Sequence, residues 1–276
     1  MHLIIQGNNV ETADLKRLAT LAGANGIEQI AANAFRLTNA TSAAAIDTLC
    51  EQARLDYALV PEGRRLADFR LLVMDMDSTL ITIETIDELA DMMGLKPQVA
   101  AITAQAMRGE IEYDESLRRR LALLRGLEES ALTRVYDERL QLSPGAERLL
   151  ARVKSLGIRT LLVSGGFTQV TDRLRSRLAL DYAYSNTLAT KDGKLTGEIT
   201  GRIVNADAKR DELLRVCAAL GIDRSQVIAV GDGANDLKFM AEAAVSIAYH
   251  AKPVVREKAT HAINHVGLDG ILNLFD

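Results

Sequence analysis

The chain has 276 residues, 48% of them apolar, with 33 lysines and arginines against 37 aspartates and glutamates, a formal net charge of -4 at pH 7. That length allows two domains, or one with a large insertion, and the apolar share can bury a sizeable core. The interspersed charges form no basic stripe for nucleic acid, no stretch reaches the ~20 apolar residues of a membrane span, and Cys50 and Cys217 lie too far apart in sequence to suggest a disulfide framework or a metal knuckle.

The first apolar run, Leu3 to Ile5, is too short for a secretory signal, so the cytoplasm is the expected location. From there the pattern reads strand (2–6), helix (11–22), two short strands (27–31 and 34–38), helix (42–54) and strand (56–60). A βαββαβ order makes a small α+β sandwich. In element order alone it resembles the ACT-type regulatory modules, which often bind amino acids; that resemblance suggests serine binding or a homodimer, with a plain folding or packing appendage as the equal alternative. Pro61, Gly63 and Arg64-Arg65 then break the apolar pattern. The reading is an ACT-like domain over 1–64 and a second domain over 65–276.

Beyond the break, four continuous apolar runs alternate with amphipathic stretches: Leu71 to Met74, Thr160 to Val163, Val227 to Val230 and Val245 to Ala248. Unbroken runs are expected of parallel strands covered on both faces, so an α/β, Rossmann-like doubly wound parallel sheet is predicted. Three runs end in polar or glycine-rich residues: Asp75, Ser164 and Gly231-Asp232. Ligands bind beyond the carboxyl ends of such strands. Residues 84–142 read as helices and predict a helical cap inserted into a core of 68–83 and 143–276. Asp192-Gly193 reads as a two-residue hairpin turn within a strand-like region at 182–204.

Asp75-Met76-Asp77-Ser78-Thr79 follows a buried strand. A carboxylate nucleophile can form an acyl phosphate, and a second carboxylate beside it can protonate the leaving alkoxide and then deprotonate water. The bland alternative is an acidic turn. Gly231-Asp232-Gly233-Ala234-Asn235-Asp236 also follows an apolar run. Asp232 and Asp236 offer the hard oxygens that Mg²⁺ prefers, whereas an N-capped helix, with Asn235 or Asp236 as cap, explains less of the string. Ser164-Gly165-Gly166 can present a hydroxyl and backbone N–H groups to a phosphate. Lys209 alone reads as a surface lysine.

Together, and in this order, these features resemble the haloacid dehalogenase superfamily of aspartate-based phosphatases over about residues 70–276. The resemblance implies Asp75 as nucleophile and Asp77 as general acid/base. It implies Mg²⁺ held by Asp75, Asp232 and the main-chain carbonyl of Asp77, with Asp236 in support. Ser164, Gly165, Lys209 and Asn235 would contact the phosphorylated substrate.

Glu84 to Ala90, Ser116 to Arg120 and Val163 to Phe167 further resemble lid and loop segments of superfamily members that hydrolyse phosphoserine. That implies Glu84 for the substrate ammonium, Arg120 for its carboxylate, and Met107 and Tyr113 enclosing it. It also implies an aspartyl-phosphate intermediate and a place as the last step of serine biosynthesis. A phosphotransferase passing the group to another alcohol, such as homoserine, uses the same first step and is not separated by these residues. The sequence does not point to a dinucleotide-binding enzyme, since no G-x-G-x-x-G follows a strand, nor to an NTPase, since no G-x-x-x-x-G-K-[ST] loop occurs.

Overall fold

The computed structural model describes residues 1–41 and 46–276. The chain opens with β1 (His2–Gly7), α1 (Thr12–Ala22), β2 (Gly26–Ala31), β3 (Ala34–Thr38), α2 (Asp47–Ala53) and β4 (Leu55–Val60). This is the expected βαββαβ order. The predicted helix at 42–54 is seen from Asp47; residues 42–45 lie outside the described residues. Next come β5 (Leu71–Met74), the helices α3 (Thr85–Met92), α4 (Lys96–Met107), α5 (Tyr113–Leu123), α6 (Ser130–Arg134) and α7 (Ala146–Ser155), then β6 (Arg159–Phe167) and α8 (Thr168–Leu178). The chain continues through β7 (Tyr182–Lys191), β8 (Lys194–Thr200), α9 (Ala206–Leu220), β9 (Val227–Gly231), α10 (Leu237–Met240), β10 (Val245–Tyr249), α11 (Pro253–Lys258) and β11 (His261–Ile263).

The described residues form two sheets, a four-stranded one in the order β2-β3-β1-β4 and a seven-stranded one in the order β11-β10-β9-β5-β6-β7-β8. The second is the α/β sheet predicted from the apolar runs, with β9–β10, β10–β11 and β6–β7 parallel. Its outer pair β7–β8 is antiparallel. The turn of that hairpin is Asp192-Gly193, both at positive φ, as the expected two-residue turn requires.

The chain packs as two compact units. The first comprises Met1–Leu72, Ser143–Arg159 and Ile222–Asp276. In it, Leu3, Ile5, Leu15, Leu18, Leu37, Ile46 and Leu49 form a core between the antiparallel sheet and its two helices. The same sheet is tied to the end of the chain. Buried Asp56 accepts hydrogen bonds from the backbone N–H groups of Asn264 (2.6 Å), His265 (2.9 Å) and Val266 (3.2 Å). Asn273 donates to Gln6 at 2.7 Å, and Arg36 pairs with Asp276 at 2.6 Å. Arg64 lies 3.0 Å from the His261 ring. Burial and that guanidinium lower the His261 pKa to about 4, so the ring is neutral at physiological pH.

The second unit comprises Val73–Leu142 and Thr160–Gly221. Here α3, α4 and α5 pack on one another, and α5 also packs on β8. Helix α8 covers β7. Helix α9 begins at Asn205, whose side chain accepts from the Ala208 N–H, and ends at Gly221 in the left-handed conformation.

Candidate active site

Asp75 stands at the end of β5, where the extended backbone gives way to a tight turn over Met76–Leu80. Its Oδ1 accepts from the Met76 N–H at 2.7 Å and lies 2.8 Å from the Lys209 ammonium. Both side chains are buried, and Lys209, in the first turn of α9, is 0% exposed. A lysine that taken alone reads as a surface residue, and that only the family resemblance assigned to the site, is thus an internal ion-pair partner, a placement tolerated only when the charge is matched.

Asp77 is two residues on. Its Oδ1 accepts from the Thr85 hydroxyl at 2.7 Å and the Thr85 N–H at 3.3 Å, at the first residue of α3. Glu84, the N-cap residue of α3, accepts from the Ser78 hydroxyl at 2.7 Å. Burial, with the nearby Glu84 carboxylate second, pushes the Asp77 pKa up from 3.8 to about 8, against the opposing pull of Thr85 and Lys209. One aspartate therefore sits against an ammonium while its neighbour is held protonated at pH 7.

Ser164, 1% exposed, accepts from the Gly166 N–H at 2.8 Å, which fixes its side chain. The Tyr113 hydroxyl presses on Gly165: a Cβ there would lie 2.2 Å from it, so a larger residue would have to push the end of the tyrosine side chain aside. Burial pushes the Tyr113 phenol up to about 12, leaving it a neutral hydrogen-bond donor. Arg120, on the last turn of α5, reaches Tyr113 and Asp87 electrostatically, and its Nε lies 3.4 Å from the Ser116 carbonyl. Met107 is 65% exposed at the end of α4, and no described contact joins it to the other expected residues.

After β9, Asp236 is 0% exposed and its carboxylate accepts from the Gly233 (3.0 Å) and Asp232 (3.2 Å) N–H groups. Asp236 stands at the N-cap position of α10 but makes no side-chain capping bond to that helix; its carboxylate reaches back to Gly233, which caps the short turn Ala234–Asp236. Gly231 has to be glycine, since a Cβ would lie 2.6 Å from the Asp236 carboxylate. Asn235 donates to Asp236 at 3.4 Å. Among the described residues, one acidic group could hold a metal ion: Asp75, Asp232 and Asp236 each offer a carboxylate oxygen, all within 4.8 Å of one another. An all-oxygen anionic set suits a hard divalent cation. The Asp77 side chain is not part of it.

Thr85 went unremarked in sequence, although it lies within the segment Glu84 to Ala90. Asn186 and Asn205, which bond to Gly165 and to Asp114, carried no sequence signal.

The profile of the haloacid dehalogenase-like hydrolases matches residues 69–244. The chain belongs to that family. A phosphoserine phosphatase of Polaromonas sp. strain JS666 is 55% identical over 215 residues, covering 76% of this chain and 91% of that protein. Among solved structures, the unliganded probable phosphoserine phosphatase of Vibrio cholerae superposes with a TM-score of 0.85 at 36% identity, over 99% of this chain and 85% of that one. A phospho-aspartyl intermediate analogue of phosphoserine phosphatase superposes at 0.71 and 38% identity, over 75% of this chain and 99% of that one. This haloacid dehalogenase-like hydrolase is therefore a phosphatase. Residues 3–49 match a domain of unknown function (DUF4072), so the ACT-like character of the N-terminal module rests on its element order alone.

Proposed function

We propose that this hydrolase converts O-phospho-L-serine and water to L-serine and phosphate through a phosphorylated Asp75, with Mg²⁺ as its ion. The observation that carries the mechanism is the contrast between two neighbouring carboxyls. Lys209 at 2.8 Å favours Asp75 as a carboxylate, the form that attacks phosphorus. Asp77, with its pKa near 8, keeps a proton to give. Such a split assigns nucleophile and acid without further groups.

In the first step an Asp75 oxygen bonds to phosphorus as the bond to the serine oxygen breaks, and Asp77 protonates that oxygen. In the second, Asp77, now a carboxylate, takes a proton from water, whose oxygen attacks phosphorus and releases Asp75. Ser164, the Gly165 N–H and Lys209 hold the equatorial phosphoryl oxygens. Asp75, Asp232, Asp236 and the main-chain carbonyl of Asp77 would hold Mg²⁺, which neutralises phosphoryl charge when bound. Asn235 stands near this turn as a further polar contact. Glu84 takes the substrate ammonium and Arg120 its carboxylate, with Tyr113 and Met107 enclosing it; for Met107 this requires the end of α4 to move from its exposed position. Residues 84–142 act as a cap over a core of 68–83 and 143–276, and residues 1–64 as an appended module that could take serine or a second copy of the chain.

The reaction yields free serine, which fits the last step of serine biosynthesis in the cytoplasm. No helix among the described residues is long and apolar enough to cross a membrane. Transfer to a second alcohol such as homoserine is disfavoured, because the matched relatives are phosphatases. The test is phosphate release from L-phosphoserine with Mg²⁺, beside Asp75→Asn and a panel of other phosphomonoesters. Strong preference for phosphoserine, lost in the variant, is expected. Equal turnover of many esters would remove the roles given to Glu84 and Arg120, and silence on every ester would remove the reaction.

A further inference from the structure

Asn186 has no part in the mechanism above. It lies in β7, 1% exposed, and both ends of its carboxamide are engaged. Nδ2 donates to the Gly165 carbonyl at 2.8 Å, and Oδ1 accepts from the Val204 N–H at 2.8 Å. Gly165 follows Ser164. Val204 precedes Asn205, the cap of the helix whose first turn carries Lys209. The two segments also approach each other directly, since a Cβ on Gly165 would lie 3.7 Å from the Val204 carbonyl oxygen. One side chain thus spans the two segments that bear the groups assigned to the phosphoryl oxygens.

We propose that Asn186 is a positioning residue for phosphoryl transfer, holding the Ser164-Gly165-Gly166 turn and the start of α9 at a fixed spacing. The inference rests on the phosphatase reading given above. The spacing decides whether the Ser164 hydroxyl, the Gly165 N–H and the Lys209 ammonium meet the oxygens of one phosphoryl group together. Donors set in advance stabilise the charge of the transition state, and a small misplacement costs turnover more than ground-state binding. Few side chains can replace it. Asparagine presents a donor and an acceptor on one short stem, whereas aspartate would set an oxygen against the Gly165 carbonyl and leucine would leave both backbone groups unpaired.

The test uses the full chain with Mg²⁺: wild type, Asn186→Asp and Asn186→Leu, each checked by thermal unfolding. The readouts are kcat and KM for L-phosphoserine, and the inhibition constants of inorganic phosphate and of L-serine. The expected result is a fall in kcat of about tenfold or more, equivalent to ~1.4 kcal/mol, about the net worth of one hydrogen bond. Phosphate inhibition weakens with it, while L-serine inhibition is unchanged, because serine carries no group for Ser164, Gly165 or Lys209. Asn186→Asp keeps the shape and the bond to Val204, and it carries the test where Asn186→Leu does not fold. Folded variants within about twofold of wild-type kcat, or variants losing phosphate and serine binding in step, overturn the proposal. A wild type that releases no phosphate from phosphoserine overturns the phosphatase reading instead, and the proposal falls with it.

Discussion

Asp56→Ala tests how the N-terminal sheet is held. The Asp56 carboxylate, 3% exposed, accepts three backbone N–H groups at 2.6, 2.9 and 3.2 Å. Alanine removes all three bonds at once and supplies no acceptor. Residues 264–266 are only half-buried, so water reaches part of the vacated space and each stranded N–H is expected to cost about 1 kcal/mol rather than the larger figure for a sealed site. The loss is then about 3 kcal/mol, or roughly 6 °C in Tm at the ~2 °C per kcal/mol appropriate to a chain of this size. Asp56→Asn, which keeps one acceptor oxygen, should lose about half as much. Urea unfolding and calorimetry on the full chain measure both, with kcat well below the transition expected to stay at the wild-type value. A change under about 1 kcal/mol for Asp56→Ala would refute the view that these bonds hold the sheet in place.

Asp75→Asn should reduce phosphate release by ~10⁴ or more, as removal of a covalent nucleophile does, with the fold intact by circular dichroism. Asp77→Asn should abolish turnover yet raise the thermal midpoint of the metal-free protein. The folded-state pKa near 8 exceeds the ordinary 3.8, so wild-type stability falls as pH rises through that window and the variant's advantage grows from pH 4 to pH 8. An advantage that is flat with pH would mean Asp77 is ionised throughout. Arg120→Lys should raise KM for phosphoserine about tenfold while changing kcat less, because a single ammonium cannot reproduce a bidentate clamp on the substrate carboxylate. Chelation of divalent metal should abolish turnover and Mg²⁺ should restore it; activity that survives exhaustive chelation would remove the role given to Asp232 and Asp236.

The α/β sheet was legible because its strands are apolar on both faces. Leu71 to Met74 and Val227 to Val230 are buried at every position, and no periodicity had to be resolved to find them. Strand β11 was not, being three residues long with a buried histidine at its start. The hairpin at Asp192-Gly193 was legible because few sequences accept two consecutive positive φ angles. The fate of Lys209 was legible only through the family resemblance. Nothing local distinguishes an internal lysine from a surface one, since the partner that matches its charge is Asp75, far away in sequence. The bonds of Asn186 and Asp56 were illegible for the same reason: each partner is fixed by tertiary register rather than by spacing along the chain.

The bonds from Asp56 and Gln6 to residues 264–273 bridge more than two hundred positions. On the ribosome the antiparallel sheet and its helices emerge well before the segment that satisfies Asp56 and can bury their own core without it. Until those residues arrive, the sheet presents to water the Asp56 carboxylate and the side of β1 that later contacts Leu268–Leu274. Closing that seam is a late, high-contact-order event. A refolding chain that had completed everything else would still show a final phase, sensitive to substitution at Asp56 and silent to substitution at Asp75.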